Sequence, residues 1–104
     1  MEKNHLEDRF FHAVLSLRDS EECRRLFNDV CTPKEIQAIS QRFAVAEMLY
    51  QKRVYSDIVE ATGASTATIS RVVRSFGEGY AAVFARLAEE KTQEKPSEEG
   101  GQKP

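Results

Sequence analysis

The fold is decided between Tyr55 and Phe76, where the chain reads YSDIVEATGASTATISRVVRSF. Ser56 can cap a short helix made of Asp57, Ile58, Val59, Glu60, Ala61 and Thr62. Gly63 follows where that helix must stop, and glycine enters the left-handed backbone region without the penalty that a Cβ brings. Ala64 and Ser65 then lead into a second helix that begins near Thr66. Its inward face is expected to hold Ala67, Ile69, Val72 and Val73, with Phe76 closing the end. Ala61 and Ala64 keep the turn narrow where the helices touch, and Ile58, Ile69 and Val72 supply a shared core. Two short helices joined by a three-residue turn containing glycine make a helix-turn-helix, spanning about 55–76.

The outward face of the second helix is expected to present Ser65, Thr66, Thr68, Ser70, Arg71 and Arg74. Short hydroxyls let a helix sit deep in a DNA major groove, and arginines reach phosphates or guanine edges. Ser56 at the start of the first helix, and Lys52 and Arg53 just before it, complete the candidate DNA-contact set. Lys52 and Arg53 also suit the negative end of the preceding helix dipole, which needs no ligand at all. An ordinary helical hairpin would share the glycine. It would not need the hydroxyl-rich face with basic flanks.

Upstream, Leu6, Phe10, Ala13, Val14 and Leu17 recur at three and four residues, which predicts a helix from about His5 to Arg18. Phe11 and Leu15 make its apolar face wider than a surface helix needs, so a second copy of the chain is expected to cover it. Ser20, followed by Glu21 and Glu22, predicts the N-cap of a helix running to about Val30, with Cys23, Leu26, Phe27 and Val30 inward. Thr32-Pro33-Lys34-Glu35 is a sharper start: a threonine cap, proline at the first helical position, and a glutamate able to reach back. The helix it opens carries Ile36, Ile39, Phe43, Val45, Ala46 and Leu49 and is expected to end near Gln51-Lys52-Arg53. A last amphipathic helix runs through Tyr80, Val83, Phe84 and Leu87. Lys91–Pro104 holds no aliphatic or aromatic residue, so it cannot offset its ordering entropy and is expected to be a disordered polar tail. Residues 1–90 therefore form a single all-α domain.

Composition agrees with that class and narrows the function. A chain of 104 residues and five glycines, two of them in the tail, leaves little room for a many-stranded sheet. No apolar run approaches the roughly 20 residues that span a bilayer, and charge begins at Glu2, which excludes a secretory signal and sets the expected location as cytoplasmic. The net charge of −2 is unevenly spread. Ser40–Phe76 has five basic and three acidic residues, whereas Met1–Cys31 has five basic and seven acidic. A basic middle can make a local positive patch on a slightly acidic protein. Cys23 and Cys31 match no zinc or redox spacing, and neither His5 nor His12 completes a ligand set, so the thiols are expected to be small buried groups in a reducing cytosol. No nucleophile is paired with a base by spacing and no metal set exists, so the chain is not read as an enzyme and requires no cofactor.

From Thr32 to Ser75 the run TPKEIQAISQRFAVAEMLYQKRVYSDIVEATGASTATISRVVRS resembles the Trp repressor family, and within it the short Trp-repressor-like regulators of the YerC/YecD type. The likeness rests on the Thr-Pro-Lys-Glu cap, a long helix containing Arg42, and the reader ending Ala67-Thr68-Ile69-Ser70-Arg71. It implies six helices per chain and an intertwined homodimer. The two readers would enter successive major grooves roughly 34 Å apart on a near-palindromic operator. It also implies a transcriptional regulator, in particular a repressor. Members that sense tryptophan hold it between two arginines, with a threonine and a serine nearby, and the matching positions here are Thr32, Arg42, Arg71 and Ser75. A tryptophan-like co-repressor is thus the effector the resemblance suggests. Those members carry glycine where this chain has Val72, and a β-branched side chain there fills part of the pocket. Ser56 likewise replaces a base-reading arginine, so the operator sequence should differ. The competing reading keeps the fold and uses the reader face to bind protein, which the acidic ends favour.

Overall fold

The computed structural model describes residues 3–93; among them are six α-helices and no strand. They are α1 (Lys3–Leu15), α2 (Ser20–Val30), α3 (Pro33–Tyr50), α4 (Tyr55–Thr62), α5 (Thr66–Ser75) and α6 (Glu78–Gln93). The last helix continues three residues past its expected end at Glu90. The rest of the expected polar tail lies outside the described residues. The chain divides into two compact units with the boundary after Ile39, inside α3.

In the N-terminal unit, local hydrogen bonds fix the helix ends. Helix α1 stops at Leu15 rather than near Arg18, because the chain tightens to three-residue bonds, Ser16 N–H to Ala13 and Leu17 N–H to Val14, and the Ser16 hydroxyl donates to the Ala13 carbonyl at 2.7 Å. The cap of α2 is Asp19, not Ser20: its Oδ1 accepts the Glu22 N–H at 2.9 Å, while Glu22 Oε1 accepts the Arg18 N–H. Helix α3 opens with the expected reciprocal pair. Thr32 Oγ1 accepts from the Glu35 N–H at 3.1 Å, and Glu35 Oε1 accepts from the Thr32 N–H at 2.8 Å.

Packing in this unit is thin. Phe10 meets Phe27 edge to face at 5.9 Å, yet none of residues 5–39 is fully buried. Cys23 is exposed and Cys31 half-buried, so the expectation of buried thiols is corrected. Val30, expected inward, is 55% exposed, and Leu15 is 84% exposed.

The C-terminal unit, by contrast, holds a core. Val45 and Ala46 of α3, Ile58 of α4, Ala64 of the turn, Ile69 and Val72 of α5, and Phe84 of α6 are all buried. Phe43, Met48, Leu49, Phe76 and Tyr80 pack around them. Phe84 is the hub of an aromatic cluster, with ring centroids 5.0 Å from Phe43, 5.4 Å from Tyr50 and 5.7 Å from Tyr80. Such pairs add about 0.5–1.5 kcal/mol each beyond their area.

Helix α3 ends at Tyr50 in a Schellman motif: the Arg53 N–H donates to the Met48 carbonyl and the Lys52 N–H to the Leu49 carbonyl. Lys52 occupies the left-handed position with φ 66°, at about 1–2 kcal/mol for a residue with a Cβ. The helix thus ends where expected, next to Gln51-Lys52-Arg53, but with lysine at a position that normally takes glycine.

Candidate nucleic-acid interface

Helices α4 and α5 pack on one another through Ile58, Ile69 and Val72. Gly63 ends α4 with φ 74°, and its N–H donates to the Val59 carbonyl at 2.9 Å. Thr62 locks the turn from inside. Its hydroxyl donates to the Ile58 carbonyl at 2.7 Å and accepts from the Ala64 N–H at 3.1 Å, while the Gln41 side-chain amide donates to the Thr62 carbonyl. Residues 63–65 therefore join α4 to α5, with α5 tied at its start to a turn that leaves little slack.

Residue by residue, α5 differs from the expected face. Ser65 is its N-cap: the Ser65 hydroxyl accepts from the Thr68 N–H at 3.1 Å and donates to Thr68 Oγ1 at 3.2 Å. These two hydroxyls hold the helix start, and Thr68 is only half-exposed. Ile69 and Val72 are buried as expected. Ala67 is not: it is exposed, and at 100° per residue it stands opposite the midpoint of Ile69 and Val72. Val73, also expected inward, is 45% exposed. The outward face is thus Thr66, Ala67, Arg71 and Arg74, all exposed, with Ser70 half-buried at its edge.

The flanking residues also move from their expected places. Helix α4 begins at Tyr55, two residues earlier than expected, and its N-cap is Val54, which offers no side-chain acceptor. Ser56 therefore sits exposed within the first turn rather than capping it. Arg53 Nε approaches Asp57 Oδ2 at 3.7 Å, with both side chains about half exposed. Lys52, Arg71 and Arg74 are exposed and enter no ion pair among the described residues.

Residues 5–91 match the Trp repressor protein family. The chain belongs to the Trp repressor family. It is 47% identical over 89 residues to the uncharacterized protein YerC of Bacillus subtilis, covering 83% of this chain and 86% of YerC. The crystal structure of a TrpR-like protein from Eubacterium eligens shares 54% identity at a TM-score of 0.79, over 83% of this chain and 92% of the other. A second crystal structure, from Staphylococcus aureus, shares 43% identity at a TM-score of 0.76, over 85% and 95% of the two chains. The six-helix order expected from the resemblance is the order observed.

For a Trp repressor-family chain, two of the four positions matched to tryptophan contacts have local partners here. The Thr32 hydroxyl accepts its cap bond from Glu35, and the Ser75 hydroxyl donates to the Val72 carbonyl at 3.4 Å. Arg42 and Arg71 are exposed. Val72, where tryptophan sensors carry glycine, is 1% exposed and belongs to the core. No helix among the described residues is long and apolar enough to cross a membrane.

Proposed function

We propose that this protein is a sequence-specific DNA-binding transcriptional repressor that acts as a homodimer through α5. The observation that carries the reading is the division of α5 into two faces. Ile69 and Val72 anchor it in the core, while Thr66, Ala67, Arg71 and Arg74 stand free on the other side. Small groups at the centre of the face allow close approach to base edges, and the arginines reach phosphate or guanine. Lys52 and Arg53, Ser56 in the first turn of α4, and Ser65, Thr68 and Ser70 along the start and edge of α5 complete the contact set. Ser65 and Thr68 do so while also holding the helix start.

Dimerisation is supported by the N-terminal unit. None of residues 5–39 is fully buried, and Leu6, Phe11, Leu15, Val30 and Ile39 are exposed. Apolar surface of that extent on a short helical segment calls for a cover, and a second copy of the chain provides one with two-fold symmetry. Tryptophan is not required in this reading, because Val72 fills the core side of α5 and positions the helix by packing alone.

A gel-shift series across salt concentrations tests the proposal, using a duplex selected from a random library. Changing Arg71 and Arg74 together to Ala leaves the buried face untouched. Each lost phosphate contact should lower the slope of log affinity against log salt by about one. Unchanged affinity and slope in the double variant would show that α5 is not the reader.

A further inference from the structure

A groove open to solvent lies away from the outward face of α5. It measures about 640 Å³ and is lined by Leu49 and Tyr50 from the end of α3, Lys52 from the turn beyond it, and Val73 and Phe76 from the end of α5. Small-molecule sites typically measure about 300–1,000 Å³ and combine an apolar lining with few polar groups. Here the lining has two aliphatic side chains, two aromatic ones and a single charge, the Lys52 ammonium. That ammonium enters no ion pair among the described residues. Lys52 is the left-handed residue of the Schellman cap that ends α3, which fixes its backbone at the edge of the groove.

We propose that this groove binds an apolar monocarboxylate, with its chain or ring against Leu49, Tyr50, Val73 and Phe76 and its carboxylate on Lys52 Nζ. Charge complementarity selects the class. A lone cation beside apolar walls favours an anion over an uncharged molecule of the same shape, by the modest amount of an exposed ion pair. None of the lining residues belongs to the set matched to tryptophan contacts, so the site is a different one. Occupancy also has a consequence that rests on the DNA-binding reading. Lys52 belongs to the proposed phosphate-contact set, and a bound carboxylate takes its charge out of that set. The ligand therefore lowers DNA affinity.

Amide-resolved NMR titration of the full chain tests the site, with 4-phenylbutyrate as the probe and uncharged 4-phenylbutanamide as its control. The acid should shift the amides of Leu49, Tyr50, Lys52, Val73 and Phe76, and the control should bind about three- to fivefold more weakly. Lys52→Gly should erase that difference while raising the Tm, a pairing that misfolding does not produce. Val73→Trp should weaken both probes by filling the groove. Shifts centred elsewhere, no shifts at millimolar probe, or equal binding of acid and control would overturn the site. In the gel-shift assay the acid should release DNA from the unaltered protein and not from the Lys52→Gly variant; equal release would overturn the regulatory part. Should no duplex be selected, the DNA-binding reading fails, and the titration still decides the groove.

Discussion

Replacing Gly63 with Ala isolates the contribution of one backbone angle. The residue ends α4 at φ 74°, and a Cβ there would meet only the Gln41 side-chain nitrogen at 4.0 Å, an ordinary contact. Steric collision therefore contributes nothing, and the whole effect is conformational, about 1–2 kcal/mol for a left-handed residue with a Cβ. For a chain of this size each kcal/mol moves the Tm by about 4–8 °C, so the expected fall is roughly 4–16 °C. Thermal and urea unfolding followed by circular dichroism, at fixed protein concentration, would measure it. Gly79→Ala is the internal control. It lies in the first turn of α6 with nothing within 4 Å of the added Cβ, and it should gain about 0.4–1 kcal/mol. A Gly63→Ala variant as stable as the parent would show that the turn does not depend on the left-handed cap. A loss above about 4 kcal/mol would show crowding that the geometry does not contain.

Three further substitutions probe other parts of the molecule. Thr32→Ala removes the acceptor for the Glu35 N–H and should cost about 1 kcal/mol in urea unfolding, while Lys34→Ala, outside the cap pair, should cost far less. Leu15→Glu places a charge on a residue that is 84% exposed in the single chain. If a second copy covers that face, light scattering should show the mass falling from two chains to one; an unchanged mass would remove Leu15 from the interface. Asp57→Asn frees Arg53 from its 3.7 Å ion pair. The pair is exposed, so stability should change by less than about 1 kcal/mol, whereas DNA affinity should rise and its salt dependence steepen.

What the sequence made legible follows the range of the interaction concerned. Gly63 and the Thr32–Glu35 pair act over three or four residues, and their residue types leave few alternatives, so their geometry was readable before any packing was known. Ile58, Ile69 and Val72 were readable because branched apolar side chains at helical spacing have one stable destination. Ala67 was not, since a single methyl fits either side of a helix and only the actual positions of Ile69 and Val72 decide which. Asp19 and Ser20 are both competent caps, and the carboxylate prevailed through its reach to the Glu22 N–H. Ser56 was the better cap by residue type, yet the chain turns in two residues earlier, at Val54. Lys52 marked the end of α3 by its charge but not its conformation, because nothing in a lysine announces a left-handed backbone. In the candidate interface the arginines were legible. The employment of Ser65 and Thr68 in holding the helix start was only half so, because a hydroxyl that caps and one that meets DNA look alike in the sequence.

The order in which the chain leaves the ribosome sets its burying and non-burying stretches in sequence. Among the described residues, all that reach full burial lie between Val45 and Phe84, so residues 5–39 emerge before any of them. At about 5–20 residues per second, the stretch from Ser40 to Phe84 takes roughly 2–9 s to synthesise. Throughout that interval Leu6, Phe11 and Leu15 stay open to water and to whatever binds nascent apolar helices. Slowing translation between Ser40 and Phe84 would lengthen that exposure, and holdase chaperones would meet α1 before the buried core of the C-terminal unit exists.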